Sequence, residues 1–570
     1  MTTPTRFSLL YPAGTDRERE MPMHVSPSAS AFLRLDTLFR SMRRTQRFRV
    51  SQPTPKDPLV FATRDPDVIR YRLDIVEDLL HHDSLYELLD GLLPDLEDLR
   101  ELFMADNQQL DDTVAMLYTI SQIELYTNLI EKLHAYFERH HPNLASEGMN
   151  ALKQYVIGTY TSEEFRILKE EYGKMTESIR SIRSVTIGVN LDAQLNPIEA
   201  GLVSINVEPY QSGNIIDKLL RLDFSNNPFH CLAPLEVAGK GLSTEQTASF
   251  RAAVNGTLAS ILKQNLKSWR PAIRQYNRSK LTFLLGLIDE IQFMLGAVSL
   301  LRTLREMDVP ICKPEIDATG TGRVSIKGLY NPVLLLERAG GRDEDGGPLS
   351  GTAQNRIVLN DLQFDENGKI FILTGPNQGG KSVYLRSAGI AQVMFQLGLF
   401  VPARSAVMSV SDRVFVHTPD EGDGGSGGRF ADECHRLSKM FESLTSESLI
   451  LMDETFSSTS AAEGSYIAEQ ILKGMRVYGC RVIFATHLHD LARKIDELNA
   501  DTEISGHLYS RIDSLVAEID PAQSESGVRS YRIVRSRPQG DSFARHIAQK
   551  YGLTLEQLMF SMERRMKETV

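Results

Sequence analysis

Ile370-Phe-Ile-Leu-Thr-Gly375-Pro-Asn-Gln-Gly-Gly-Lys381-Ser-Val383 is the stretch whose reading decides the fold. Its first five residues are apolar or β-branched and predict a buried strand; the residues after Lys381 predict a helix. A glycine-rich turn between a strand and a helix is the setting in which a phosphate-binding loop works, because its glycines let successive backbone N–H groups point into one concavity at a helix N-terminus. Gly375, Pro376, Asn377, Gln378, Gly379, Gly380, Lys381, Ser382 and Val383 are therefore the candidate nucleotide-binding residues. Lys381 can reach β- and γ-phosphates and Ser382 can ligate a cation, so the expected cofactors are ATP and Mg²⁺. The bland alternative, a chance glycine loop, is disfavoured by the flanking strand and helix.

Two further strands lie downstream. Ser448-Leu-Ile-Leu-Met-Asp453-Glu454 is an apolar run ending in two carboxylates. Asp453 would hold the Mg²⁺, and Glu454 would orient or deprotonate the attacking water. Taken alone this motif is weak, since many strands end in acids that cap the next helix. Arg481-Val-Ile-Phe-Ala-Thr-His487 is a third buried run. Its histidine falls at the sheet edge where α/β proteins bind ligands, so His487 is a candidate sensor of the γ-phosphate. His489 has no such claim. Lys381, Glu454 and His487 form the expected catalytic set, with Ser382 and Asp453 as the metal ligands.

Outward from this region, residues 315–535 alternate short β-branched segments with helices, as an α/β domain does. Residues 58–314 read as a mainly helical core and lever. Asp65-Pro66 gives a cap and first-turn proline ahead of Ile69, Leu73, Val76 and Leu80 at helical spacing. Within that region Val185 to Leu191 and Val203 to Val207 alternate like two strands joined by a turn, a β insertion at about 185–207. Residues 1–57, rich in Pro, Ser and charge, are expected to be a flexible arm with one amphipathic helix. Residues 536–570 are expected to be a C-terminal helical dimerisation segment.

The chain has 570 residues, 42% of them hydrophobic, and a net charge of −11. That excludes a global positive field and leaves nucleic-acid binding to local patches. One such patch is Arg34, Arg40, Arg43, Arg44, Arg47 and Arg49, although a solvated helix face is the plainer reading. The most apolar stretch, Leu281 to Leu301, is interrupted by Asp289 and Glu290, so no membrane span is expected. No export signal is legible, and the expected compartment is the cytoplasm. Cys231, Cys312, Cys434 and Cys480 lack paired spacing, against both a zinc site and a disulfide framework.

The order of motifs, with a Gly-rich segment between the first two, is similar to that of ABC-class ATPases. Gly375-Pro-Asn-Gln-Gly-Gly-Lys-Ser-Val-Tyr-Leu-Arg386 resembles the phosphate loop of the MutS family, with Gln378 where Met is usual. Val401-Pro-Ala403, Asp412-Arg-Val-Phe415, Asp453-Glu-Thr-Phe-Ser-Ser-Thr-Ser460 and Ala485-Thr-His487 resemble its later segments. Upstream, Tyr71-Arg-Leu-Asp-Ile-Val-Glu-Asp-Leu-Leu80 and Ile326-Lys-Gly-Leu-Tyr-Asn-Pro-Val333 are also similar. The resemblance implies an ABC-type ATPase domain, a homodimer with two ATP sites across it, and ATP hydrolysis coupled to clamp-like binding of mismatched or branched DNA, in mismatch repair or control of recombination, with repair proteins as possible partners. Where the family's trans-acting segment reads Ser-Thr-Phe-Met-x-Glu, this chain has Gly428-Arg-Phe-Ala-Asp-Glu433, so Ser426, Gly428 or Arg429 would face the partner's ATP. Fewer than 60 residues precede the helical core, so the family's mismatch-reading domain is not expected in this chain. A ribosome- or RNA-remodelling ATPase, as some relatives without that domain are, is the alternative.

Overall fold

The computed structural model describes residues 7–16, 21–42, 57–106, 112–180, 184–194, 197–206, 278–317, 319–340, 357–376, 378–419, 429–457, 459–500, 503–504, 507–519, 529–537 and 552–568. The described residues fall into two compact units, one within Phe7–Tyr86, Leu144–Asn150 and Asp289–Val570, the other within Glu87–Asn143 and Ala151–Ile288.

The first unit opens with strand β1 (His24–Val25), helix α1 (Pro27–Leu33) and helix α2 (Leu35–Met42). Helix α3 (Pro66–His81) and helix α4 (Ile288–Glu306) follow. Next come β2 (Glu315–Ile316), β3 (Val324–Leu329), α5 (Pro332–Gly340), β4 (Asn360–Phe364) and β5 (Ile370–Thr374). Helix α6 (Lys381–Gln396) leads to β6 (Ser405–Met408), β7 (Arg413–His417), α7 (Arg429–Phe441) and β8 (Leu449–Asp453). Helix α8 (Ala461–Tyr478), β9 (Arg481–Ala485), β10 (Ile512–Ile519) and β11 (Arg529–Arg535) complete the frame.

Seven strands make the main sheet in the order β1-β7-β8-β9-β5-β10-β11. All neighbouring pairs are parallel except β10 with β11. Every residue of β5, β8 and β9 is buried. This explains their unbroken apolar runs, since parallel strands covered on both faces have no solvent side on which to alternate. Strand β9 lies between β5 and β8, with Asp453 opposite Ala485 and Ala485 opposite Leu373. The glycine loop, the carboxylate pair and His487 therefore leave the sheet side by side at one edge, where such sheets carry their sites. A second sheet, β2-β6-β3-β4, adjoins it. Asn360 joins the two sheets, accepting from Ile533 N at 2.7 Å and donating to Tyr531 O at 3.2 Å.

Among the described residues of the N-terminal region, 7–16 and 21–42 depart from the flexible arm expected over 1–57. Ser26 caps α1 by accepting from Ala29 N, and Pro27 occupies its first turn; this Ser-Pro pair is helix-start chemistry and not a mark of disorder. Leu33, Leu35, Leu38, Phe39 and Met42 are buried. A Cβ on Gly389 would lie 2.5 Å from Leu33 Cδ2, so α1 sits hard against α6. Arg34 pairs with Glu337 and Arg40 with Asp36; Arg43, Arg44, Arg47 and Arg49 lie outside the described residues. Asp65 caps α3 as expected, accepting from Asp67 N at 2.8 Å. By contacts, α3 and most of α4 group with the sheets, not with the helical region that the expected boundary near 315 would give them. Buried Arg72 is the fastening: its Nε donates to Leu10 O at 2.9 Å, and its stem lies where a side chain on Gly398 (φ +78°) would be.

The second unit is built from helices Asp83–Asp106, Asp112–His140, Glu147–Tyr160, Glu163–Arg180 and Arg278–Gly286, the first and third shared at their ends with the other unit. Strands Ser184–Leu191 and Pro197–Asn206 pair antiparallel, from Ser184 opposite Asn206 to Leu191 opposite Pro197. The hairpin is the one expected, though its second strand starts earlier, with Pro197 at the first position where a missing N–H is tolerated. Val207, Cys231 and the expected helical stretch from Ser243 to residue 277 lie outside the described residues. Leu281–Glu306 is long and apolar enough to cross a membrane by length and composition, yet 72% of its most apolar window is buried inside the protein.

Candidate active site

The glycine loop has steric reasons for its composition. Gly375 has φ +146°, and a Cβ there would lie 2.5 Å from Ala517 Cβ. A Cβ on Gly379 would meet Pro376 O at 2.9 Å. Gly380, at φ +91°, is the N-cap of α6 and offers no side-chain cap. The first amides of α6 are thus left for another acceptor, and the positive end of the helix dipole reinforces the preference for an anion. Lys381 is 4% exposed, and its Nζ donates to Gly375 O at 3.0 Å and Pro376 O at 3.1 Å. Burial lowers the pKa of this ammonium, while Glu454 and Asp453 raise it. Val383 is half-buried in the first turn of α6; Asn377 lies outside the described residues.

Asp453 ends β8 and is 9% exposed, with Oδ1 buried and lacking a hydrogen-bond partner among the described residues. Burial pushes its carboxyl above the usual range; Ser382 pulls it back, Glu454 adds to the rise, and Arg386 and Lys381 oppose it. A buried carboxylate with an unused oxygen beside a serine hydroxyl is a donor set suited to a hard cation. Glu454 adopts a left-handed backbone, φ +54°. Its N–H donates to Ala485 O at 2.9 Å, and its Oε1 is 2.7 Å from His487 Nε2. The turn after β9 fixes that histidine: Thr486 N donates to Leu373 O at 3.0 Å, and Thr486 Oγ1 accepts from Leu488 N at 3.0 Å. Lys381, Ser382, Asp453, Glu454 and His487 are thus brought together. Ser426 and Gly428 lie outside the described residues, as does the side chain of Arg429.

Three residues that the sequence reading did not single out stand behind this edge. Glu433 of α7, 1% exposed, accepts from Phe456 N at 2.8 Å. Phe456 is again left-handed, φ +66°. His417, at the end of β7, has Nδ1 3.1 Å from Thr455 Oγ1. Burial, with help from the nearby Arg436 charge, lowers the His417 pKa to about 4. The signal that pointed to His487, a histidine closing a β-branched run, is present in Arg413-Val-Phe-Val-His417 as well.

Two family models match the chain, MutS domain V over residues 371–552 and the MutS2 N-terminal domain over residues 64–307. A DNA mismatch repair protein MutS from Chlorobium phaeobacteroides is 37% identical over 183 residues, 32% of this chain and 19% of that protein. One from Prochlorococcus marinus is 38% identical over 141 residues, 24% and 15% of the two chains. One from Pseudothermotoga lettingae is 30% identical over 231 residues, 40% and 26%. The matched region spans about a quarter or less of these relatives' own length. With a MutS2-type N-terminal domain followed by MutS domain V, the chain belongs to the MutS family.

Proposed function

We propose that this protein is an ATPase of the MutS type that couples ATP hydrolysis to clamp-like binding of mismatched or branched DNA, acting as a homodimer in repair or in control of recombination. The observation that carries the reading is the convergence of Lys381, Ser382, Asp453, Glu454 and His487 at the C-terminal edge of three adjacent strands. Residues 375–383 would hold the nucleotide, and Ser382 with Asp453 the Mg²⁺; both fit, because Gly375 and Gly379 keep the cradle open and Asp453 Oδ1 has no hydrogen-bond partner among the described residues. Bound Mg²⁺ and ATP would supply an electrophilic phosphoryl group and the charge that polarises it. Lys381 contributes a buried cation that the loop carbonyls already hold in place. Glu454 takes the proton of the attacking water, and His487, 2.7 Å from its Oε1, holds its carboxylate in place. Ser426 and Gly428 just before α7, with Arg429 at its start, would complete the partner subunit's site.

The test is Glu454→Gln, which keeps the shape of the side chain and its bond to His487 but removes the base. ATP should still bind while steady-state phosphate release falls about 10²–10⁴-fold, and light scattering should show an ATP-dependent dimer. That trapped form is then competed at fixed salt against homoduplex, mismatched duplex, four-way junction and RNA, since phosphate contacts make affinity salt-dependent. We expect junction DNA to win, with any single-mismatch preference over homoduplex under tenfold, ~1.4 kcal/mol. Normal turnover in the variant would refute the catalytic assignment. Retention on RNA or ribosomal subunits in place of DNA would assign the chain to the ribosome- or RNA-remodelling alternative.

A further inference from the structure

We infer that Glu433 is a positioning residue for hydrolysis, holding Glu454 in its working conformation through the backbone of Phe456. The inference rests on the ATPase reading above and adds a residue to it. The turn leaving β8 has two non-glycine residues with left-handed backbones, Glu454 at φ +54° and Phe456 at φ +66°. Side chains disfavour that conformation, so a turn with two of them persists only where the surroundings over-determine it. On one side the turn is held by Glu454 N donating to Ala485 O at 2.9 Å, a bond to the neighbouring strand. On the other, Phe456 N donates to Glu433 Oε1 at 2.8 Å. Between them, Thr455 Oγ1 meets His417 Nδ1 at 3.1 Å.

Glu433 is 1% exposed and Phe456 2%, so no water competes for this N–H. A buried carboxylate is costly unless its bonds repay it. Phe456 also packs edge-on against Phe430, one turn before Glu433 on α7 (centroids 6.1 Å apart, 67°), so the helix grips the turn by a polar and an apolar contact. Without the acceptor, the strained turn is free to relax toward ordinary backbone angles. The Glu454 carboxylate then swings away from His487 and the glycine loop, while the loop itself, two strands away, keeps its shape.

The expected signature is a loss in kcat with little change in nucleotide binding. In the full-length chain, Glu433→Ala should lower kcat for ATP hydrolysis at least about tenfold, since a misplacement of an ångström can cost up to a hundredfold. Its affinity for a fluorescent ATP analogue should change by less than about twofold, because the phosphate cradle is untouched. Glu433→Gln keeps an oxygen acceptor in the same place and should restore most of kcat; Glu433→Asp, one methylene short, should not. If the alanine variant does not fold, the Gln and Asp variants carry the comparison. Wild-type kcat in Glu433→Ala, equal losses in the Gln and Ala variants, or a parallel loss of nucleotide affinity would overturn the proposal. Glu454→Gln is assayed alongside. Should it abolish turnover while Glu433→Ala does not, only the positioning role fails; a wild-type protein that does not hydrolyse ATP removes both readings.

Discussion

Gly375→Ala puts the geometry of the glycine loop to a quantitative test. The added Cβ would stand 2.5 Å from Ala517 Cβ, 3.1 Å from Ala517 N and 3.2 Å from its Cα. Carbon atoms pack at ~3.5–4.0 Å, so the first contact is too short by about an ångström, and the other two involve backbone that cannot swing aside. The residue must also keep φ +146°, where an L side chain is strained. Overpacking at ~1–3 kcal/mol and backbone strain at ~1–3 kcal/mol give about 2–6 kcal/mol to relieve. The cheapest relief moves the loop off β10, which spreads the amides that converge on phosphate. With ~1.4 kcal/mol for each factor of ten, even the lower end of that range means that the ATP dissociation constant should rise at least about 25-fold by calorimetric titration, with the secondary structure intact by circular dichroism. Ala517→Gly removes only the closest contact, so the double variant should recover part of the affinity and not all of it. Wild-type affinity in the single variant, or a double variant no better than the single, would show that the wall at Ala517 does not shape the loop.

Lys381→Ala should abolish nucleotide binding, because a methyl group can neither balance phosphate charge nor replace the bonds to Gly375 O and Pro376 O; a folded variant with unchanged affinity refutes the role. His417 should make stability depend on pH in mildly acid solution. Burial lowers its pKa from 6.5 to about 4, so between those values the unfolded chain binds a proton that the folded chain does not. This contribution is fully present above pH 6.5 and is lost as pH falls toward 4, by at most ~1.4 kcal/mol per unit. Urea unfolding over that range should give a smaller slope for His417→Gln than for the wild type; identical slopes would count against the buried neutral imidazole.

Legibility in this sequence follows the range of the physics that places each residue. The loop at 375–382 could be read because its constraints are local: a left-handed φ at Gly380 and a Cβ-excluding contact at Gly379 with Pro376 O demand glycine within a few positions of one another. The helix start at Asp65-Pro66 was local too, and the cap stands where the pattern put it. Buried strands β5, β8 and β9 announced themselves by unbroken apolar runs, but nothing in those runs says that β9 inserts between the other two. Strand order is set by crossovers and packing over a hundred residues, and it is the order that delivers His487 to Glu454. The N-terminal region misled for a related reason. Ser26-Pro27 reads as a breaker or as a helix start depending on whether an apolar surface waits for Leu33, Leu38 and Met42, and that surface comes from α6 and other elements hundreds of residues away. Glu433 is the clearest case of all. A glutamate on a helix ordinarily reads as a solvated charge, and although Glu433 stands where the family's Ser-Thr-Phe-Met-x-Glu segment ends in glutamate, that likeness says nothing of what the side chain touches. Its meaning lies in a single backbone N–H twenty-three positions along the chain, which takes up a left-handed turn only because the strand before it ends at the site.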